Sequence, residues 1–267
     1  IKLMNQALCN HTSMQLIFLT TGKVLLQHQN DPYLHVANIY AHLMDFVKYK
    51  WWAKYIYSIT KSFLVKNPAV LELAAGNCAL AQHLSKHYKN YFATDISKSM
   101  LHHSKDKLMK VCCDMTAIPF NKKFDLILSS FDSVNYLLNK KLLLKFFKEA
   151  ENHLAENGIL TFDAALESNS HKHQKTATTK GKSKGFLYQR KSVFMPASKI
   201  HKNIFTITYP NGKTFSETHK QKIYSYDTFF EMAEKSGLYV VNCYKAFSYQ
   251  KGKANYDRVQ FIMKRKS

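Results

Sequence analysis

Between residues 33 and 64 the apolar side chains recur every three or four positions, which is the spacing of one face of an α-helix. We therefore predict two amphipathic helices in this stretch. The helical pattern stops at Asn67-Pro68, and the next five residues, AVLEL (69–73), form a short continuous apolar run. Such a run predicts a strand buried on both faces of a parallel sheet, and the small residues Ala74-Ala75-Gly76 after it predict a tight turn.

Short apolar runs and helical patterns continue to alternate further along the chain. The predicted elements are helix 79–87, strand 91–94, helix 97–105, strand 108–112, strand 124–129, helix 140–153 and strand 158–163. Strands separated by helices pack into a mostly parallel sheet with right-handed crossovers and helices on both faces. The pattern therefore predicts an α/β fold built on a doubly wound, mostly parallel sheet.

The pattern changes after residue 166. Residues 167–185 are polar, basic and almost free of apolar side chains, and we predict a mobile loop there. From residue 186 to 224 apolar and polar positions alternate with a period of two, and Asn211-Gly212 between two such segments is a strong hairpin signal. We therefore expect residues 165–225 to form an antiparallel β insertion. The later elements are predicted to be helix 226–236, a cap at Gly237, strand 239–247 and strand 259–264.

The first 32 residues have no clear pattern, and we expect an N-terminal extension outside a domain that spans residues 33–267. The apolar stretch MQLIFLTTGKVLL (14–26) is interrupted by polar residues and is too short to cross a bilayer, so we expect no membrane partner. The five cysteines include no C-x-x-C pair, which favours a reducing, cytoplasmic location over a disulfide framework. The histidine clusters lack the companion ligands of a metal site, and we predict none.

Composition excludes global disorder, because 46% of the residues are hydrophobic and 13% are aromatic. The formal net charge of +21 is far beyond that of an ordinary soluble domain. An anionic partner would explain this charge. A compositional bias would explain it equally well, because the lysines are scattered through the chain, and both explanations stay open at this point.

Acidic residues follow three successive predicted strands: Glu72, Asp95 and Asp114. The carboxyl ends of parallel strands meet at one edge of the sheet, which is where ligands bind in such folds. Three carboxylates at this edge suit an amine, a ribose diol and an exocyclic adenine amine, so a nucleoside with an amino acid tail fits. A dinucleotide fits less well, because Glu72 would face its pyrophosphate and the pattern G-x-G-x-x-G does not occur at this turn.

Several ordered motifs resemble those of the class I S-adenosylmethionine-dependent methyltransferases. They are VLELAAGNC (70–78), FATDIS (92–97), CCDMTAIPF (112–120) and FDLILSSFDSVNYL (124–137). Further segments, YAHLMDFVKYKWWAKYI (40–56), NGILTFDA (157–164) and ETHKQKIYS (217–225), resemble a bacterial, small-molecule-type branch with an antiparallel sheet over the active site. The resemblance covers residues 33–264. It implies a seven-stranded Rossmann-like sheet and S-adenosyl-L-methionine as the cofactor.

The resemblance also implies roles for individual residues. The turn at Glu72, Ala74 and Gly76 would hold the methionine end of the cofactor, and Asp95 would bind both ribose hydroxyls. The other implied cofactor contacts are Tyr40, Ile96, Asp114, Met115, Ser130 and Phe131, with Tyr49 and Trp52 closing the pocket. The chain departs from the family pattern of three glycines, because Ala74 and Cys78 replace two of them.

The reaction that the resemblance implies is transfer of a methyl group to an oxygen, nitrogen or carbon nucleophile by in-line displacement. Candidate catalytic residues are His219, which shares one face of a predicted strand with Glu217 and Gln221, and Asp132. The acceptor is expected to be a small or anionic molecule, and RNA is the largest class of anionic acceptors. Two alternatives stay open: a non-catalytic protein on the same fold, motivated by the altered glycines, and a nucleotide-dependent oxidoreductase.

Overall fold

The computed structural model describes residues 17–18, 31–104, 107–175 and 177–266. Two sheets and seven α-helices account for most of this part of the chain. The strands are β1 Ile17–Phe18, β2 Ala69–Leu73, β3 Asn90–Asp95, β4 Met109–Cys112, β5 Phe124–Ser129, β6 Leu154–Ala165, β7 Thr178–Ser183, β8 Phe186–Met195, β9 Ile200–Thr208, β10 Thr214–Lys222, β11 Leu238–Lys245 and β12 Arg258–Arg265. The helices are α1 Ala37–Leu43, α2 Tyr49–Thr60, α3 Ala81–Leu84, α4 Lys98–His102, α5 Lys140–His153, α6 Glu167–Lys175 and α7 Tyr226–Lys235, with 3-10 turns at Lys61–Phe63 and Ser133–Tyr136.

The larger sheet has the strand order β1-β4-β3-β2-β5-β6-β12-β11. Strands β4, β3, β2, β5 and β6 run parallel, whereas β12 and β11 continue the sheet in antiparallel fashion. These seven strands confirm the predicted doubly wound, mostly parallel sheet. The two-residue strand β1 pairs with the outer edge of β4 as an eighth strand.

Apolar side chains cover both faces of this sheet, which explains why its central strands read as continuous apolar runs. On one face, α5 and α7 pack against β6 and β12 through rings that include Phe146, Phe162 and Phe261. On the other face, α2, α3 and α4 cover β2 and β5 through residues such as Ile56 and Leu84. The sheet is thus buried between two helical layers, and its carboxyl edge is left to the loops.

Strands β7 to β10 form a separate antiparallel sheet in the order β10-β9-β8-β7. Its register is anchored at the Pro210-Asn211-Gly212 turn, where Thr208 pairs with Thr214. Helix α1 packs on this sheet through Val36 and Ile39. The expected antiparallel insertion is therefore present.

Asn135 links the two sheets. Its side-chain Nδ2 donates to the carbonyls of Ala165 (3.1 Å) and Lys222 (2.8 Å), and its Oδ1 accepts from the N–H of Ala165 (3.0 Å). Asn135 is fully buried, so these bonds form away from water. They fix the end of β10 to the end of β6, at the carboxyl edge of the larger sheet.

The prediction of a mobile loop over residues 167–185 is wrong. The segment contains α6 and β7, and β7 pairs along its length with β8. Its polar side chains find partners far away in the sequence: Glu167 pairs with Lys199 (2.6 Å), and Ser168 donates to Asp257 (2.7 Å). Local composition missed the structure because these partners and the backbone ladder of β8, not a local core, hold the segment in place.

Candidate active site

A cavity of about 840 Å³ opens at the carboxyl edge of the larger sheet. The N-terminal helices α1 and α2 and the inner face of the antiparallel sheet form its other walls. The predicted site residues that line it are Tyr40, Glu72, Ala74, Gly76, Asp95, Ile96, Met115, Ser130, Phe131, Asp132 and His219. Tyr49 and Trp52 of α2 line it as well. Predicted site residues that lie far apart in the sequence, from Tyr40 to His219, thus surround one cavity.

Glu72 is a buried carboxylate in this wall, only 2% exposed. The hydroxyl of Tyr91 donates to its Oε2 at 2.7 Å. Burial raises the pKa of Glu72 to about 7, the Tyr91 bond lowers it in part, and the nearby Asp95 raises it further. No lysine or arginine of the described chain forms an ion pair with Glu72.

The turn after β2 uses the left-handed region of backbone space at every second position. The φ angles of Ala74, Gly76 and Cys78 are +55°, +58° and +60°. These are the three positions that are glycine in the family pattern, and L-residues with a Cβ are disfavoured there. The turn therefore keeps the backbone conformation that glycines favour although two of them are replaced. The Cys78 side chain fits because it is fully buried among α2, α3 and β2.

Asp95 joins this turn to the next one. Its Oδ2 accepts from the N–H of Gly76 (2.7 Å) and its Oδ1 from the N–H of Ser97 (2.8 Å). Burial raises the pKa of Asp95 to about 6, while these backbone bonds lower it. Each carboxylate oxygen retains a second lone pair for a ligand hydroxyl.

Asp31, from the segment expected to be an extension, supports the loop after Asp95. It accepts from the Ser97 hydroxyl (2.6 Å) and the Ser99 N–H (2.8 Å). Burial raises its pKa, but the hydrogen bonds from Ser97, Ser99 and Tyr33 outweigh that effect and leave the pKa below its ordinary value. Sequence reasoning missed this residue because its partners lie more than sixty positions away.

The third predicted acid, Asp114, is not among the described residues that line the cavity. Its Oδ1 accepts from the N–H of Thr116 at 2.7 Å and so shapes the loop after β4. The neighbouring Met115 lines the cavity instead, and so does Ile96, which is 52% exposed. Two apolar side chains therefore flank this part of the cavity.

Phe131 and Asp132 follow β5 with left-handed φ angles of +61° and +46°. This conformation packs the Phe131 ring against Trp52, with ring centroids 4.2 Å apart, and against Tyr49 at 5.7 Å. Adjacent non-glycine residues in this region are strained, and such strain clusters at functional sites. The strained turn therefore sets Phe131 against α2 in the cavity wall.

Asp132 is held in a network of charges. Arg258 forms an ion pair with Asp132 Oδ1 (2.6 Å) and a second one with Asp163. The side-chain amide of Gln221 donates to Asp132 Oδ2 at 2.7 Å. Because both carboxylate oxygens of Asp132 already accept from strong donors, the contacts suit a positioning role better than proton transfer.

His219 is buried (5% exposed) on the inner face of the antiparallel sheet. Its Nε2 lies 2.9 Å from Glu217 Oε1, and the other oxygen of Glu217 accepts from the N–H of His35 at 2.7 Å. The ring lies 4.2 Å from that of Tyr33, centroid to centroid. With the Nε2 proton donated to Glu217, Nδ1 carries the free lone pair, a tautomer assigned from this hydrogen bond. The pair has the geometry of an imidazole oriented by a carboxylate.

The antiparallel sheet brings further polar residues to the cavity that sequence reasoning missed. Arg190 of β8 and His201 and Asn203 of β9 line it, because they share the inner face with His219 and Gln221. The signal in the sequence was the same period-two alternation that singled out His219. Alternation within one strand does not show which residues of the neighbouring strands share its face.

Known proteins share this architecture. A family model described as a methyltransferase domain matches residues 70–158, which hold the parallel strands β2 to β5. The chain is 26% identical over 218 residues to "Putative methyltransferase YqeM" of Bacillus subtilis (strain 168), covering 77% of this chain and 86% of that protein. The solved structure of a S-adenosylmethionine-dependent methyltransferase from Clostridium acetobutylicum ATCC 824 superposes with a TM-score of 0.74 at 25% identity, covering 87% of this chain and all of that one.

The chain belongs to the class I S-adenosylmethionine-dependent methyltransferases. Its cofactor is S-adenosyl-L-methionine, and the hypotheses of an oxidoreductase and of a non-catalytic protein give way to an enzyme that transfers methyl groups. At the level of fold, this methyltransferase is also similar to the sugar N-methyltransferase KedS8 from Streptoalloteichus sp ATCC 53650, with a TM-score of 0.70, 13% identity and coverage of 93% and 99% of the two chains. Among its described residues, no helix is both long and apolar enough to span a bilayer.

Proposed function

We propose that this methyltransferase moves the methyl group of S-adenosylmethionine in line to an oxygen or nitrogen nucleophile of a small-molecule acceptor, and that His219 receives the proton released. The observation that carries the proposal is one cavity that contains both the Glu72–Asp95 wall and the His219–Glu217 pair. The sugar N-methyltransferase with the same fold supports an acceptor of small size.

The residues of the cavity wall fit this cofactor. Glu72 and Asp95 are two buried carboxylates without a basic partner among the described side chains, so they suit a ligand with a positive charge and hydroxyl donors. The left-handed turn at Ala74 and Gly76 lets a ligand approach the backbone closely, with Tyr40 and Ser130 completing this part of the wall. Ile96 and Met115 would contact the two sides of the base, with Asp114 shaping their loop. Phe131 would pack beside the sulfonium.

S-adenosylmethionine supplies a methyl group on a sulfonium, and the sulfur keeps the bonding electron pair when that methyl leaves. The protein's share of the work is to hold the acceptor in line and to exclude water. Alignment alone can account for about 7 to 11 kcal/mol of such a barrier. Tyr33, Tyr40 and Phe131 line the cavity with aromatic rings, which suit the exclusion of water.

The proton of the nucleophile goes to His219. Glu217 holds the imidazole with Nε2 protonated and stabilises the positive charge that appears when Nδ1 takes the proton. Asp132 has a positioning role in this proposal, because its hydrogen bond with Gln221 fixes β10 relative to the Phe131 turn.

Two substitutions test the proposal through separate readouts. Asp95→Asn is expected to weaken the thermal stabilisation by S-adenosylhomocysteine, whereas Asp45→Asn, an exposed control, leaves it unchanged. His219→Asn is expected to bind S-adenosylhomocysteine normally. In a screen of small amines and alcohols with labelled S-adenosylmethionine, it is expected to transfer methyl groups about 10² to 10⁴ times more slowly than the wild type. Full turnover by His219→Asn with an acceptor that the wild type uses would remove His219 from proton transfer.

A further inference from the structure

The cavity continues past His219 along the inner face of the antiparallel sheet. Strand pairing aligns Ser192, Asn203 and His219 in one row, and Phe194, His201 and Gln221 in the next. His201 is therefore a diagonal neighbour of His219, with about 7 to 8 Å between such positions. A small molecule whose nucleophile meets His219 would reach this second part of the cavity with its other end.

Two guanidinium groups line the cavity, and only one of them is neutralised. Arg190 belongs to the row of Phe205 and Glu217, on the other side of the His219 row from His201. Arg258 pairs with Asp132 at 2.6 Å and with Asp163. Arg190 forms no ion pair with any carboxylate of the described chain, and its Nε is buried without a hydrogen-bond partner. A buried, unpaired donor on a cation is costly unless a ligand satisfies it.

His201 is a second polar side chain in this region with an unused atom. It is 4% exposed, and its Nε2 lies 2.7 Å from the hydroxyl of Ser192. Its Nδ1 is buried and has no hydrogen-bond partner. When the Ser192 hydroxyl donates to Nε2, Nδ1 carries a proton and becomes a donor. Burial lowers the pKa of His201 to about 4, and the neighbouring His173 lowers it further, so this donor is neutral.

We propose that the methyl acceptor carries an oxyanion, a carboxylate or a phosphate, which Arg190 of β8 and His201 of β9 bind, with His201 one diagonal away from His219. This inference rests on the proposed function, because it assigns the other end of the same acceptor. The planar fork of Arg190 supplies paired donors that match an oxyanion, and His201 supplies one neutral donor beside it. Arg258 cannot take this role, because Asp132 and Asp163 already occupy its fork.

The test measures binding of simple anions to the whole chain. Protein saturated with S-adenosylhomocysteine is titrated with inorganic phosphate and, separately, with sodium acetate, at an ionic strength held constant with sodium chloride. Arg190→Gln removes the proposed ligand. Lys191→Gln is the matched control, since it removes the same charge from the next position of β8, which is exposed on the other face. His201→Phe keeps a ring beside Phe194 but removes the donor.

Wild-type protein and Lys191→Gln are expected to bind the anion equally. Arg190→Gln should bind it at least about tenfold more weakly, which is the loss of one charge-assisted hydrogen bond, and His201→Phe should also bind it more weakly. The anion that binds more tightly indicates whether the acceptor carries a phosphate or a carboxylate. Equal binding by Arg190→Gln and Lys191→Gln, or no response of the wild type to either anion, would overturn the proposal. If S-adenosylhomocysteine itself fails to stabilise the protein, the proposed function fails, and the same comparison on the free protein still decides the anion site.

Discussion

Glu72 makes the free protein less stable as the pH rises, and Glu72→Gln is expected to remove that effect. The carboxyl group is 2% exposed, and its pKa is raised from 4.5 to about 7, mainly by burial. The groups that face it are Tyr91, which donates to it, and Asp95, Tyr49 and Cys78, each of which is coupled to it by charge. No described cation compensates its charge by an ion pair.

The sign and size follow from the two pKa values. Between pH 4.5 and about 7 the folded protein holds a proton on Glu72 that the unfolded chain has released, so stability falls as the pH rises through this window. One pKa unit corresponds to about 1.4 kcal/mol, which gives at most about 3 kcal/mol of lost stability above pH 7. Asp95 titrates in the same direction, with a pKa raised to about 6, but it is present in both proteins and cancels in their difference.

The assay is urea unfolding of the ligand-free protein from pH 5 to pH 8. Glu72→Gln keeps an amide oxygen to accept from the Tyr91 hydroxyl and has no charge to bury. We therefore expect its stability to exceed that of the wild type increasingly with pH, by up to about 3 kcal/mol at pH 8. At the same time we expect it to lose affinity for S-adenosylmethionine. Glu234→Gln, whose side chain is 77% exposed, is the control and should follow the wild type. If the free energies of unfolding of Glu72→Gln and the wild type differ by the same amount at every pH, the argument that ionisation of buried Glu72 destabilises the fold is refuted.

Three further outcomes are expected from the same site. Ala74→Gly should raise the urea-unfolding free energy by about 1 kcal/mol, because it relieves a left-handed φ of +55°, whereas Cys78→Gly should lower it, because it also deletes a fully buried side chain. In calorimetric titrations, S-adenosylmethionine should bind more weakly as the pH falls from 8 to 5, since Glu72 and Asp95, with pKa values of about 7 and about 6, must be ionised to accept its donors. Asn135→Ala should cost about 2 to 3 kcal/mol in urea unfolding, because it leaves buried backbone groups of Ala165 and Lys222 without partners.

The order of elements in the parallel half of the fold could be predicted from the sequence, and three of its elements to the residue. The strands at 69–73 and 124–129 and the helix at 140–153 have the predicted bounds. Their signals are local: a strand buried on both faces must be continuously apolar, and Asn139 caps the helix through the N–H of Leu142. The acids at the strand ends followed from the same logic, since topology alone brings Glu72 and Asp95 to one edge.

The segment at 167–185 had no such local signal. Strand β7 lies at the edge of its sheet and alternates between exposed and half-buried polar residues, so its composition resembles that of a loop. What orders it is a backbone ladder with β8 and contacts such as that of Glu167 with Lys199, 32 positions away. Composition measures how much apolar surface a segment can bury, and it does not register a segment held by a neighbouring strand.

The polar residues of the cavity could be predicted from the sequence only in part. The Asn211-Gly212 turn fixes the register of β9 and β10, so the pairing of His219 with Asn203 follows from sequence once the hairpin is recognised. The register of β8 depends on a second turn, where Lys199 adopts a φ of +52° and its N–H donates to the Pro196 carbonyl at 3.2 Å. Lysine gives no signal for a left-handed conformation. Because that turn could not be recognised, Arg190 remained an isolated cation in the sequence, and alternation within β8 alone could not relate it to the face that carries His219.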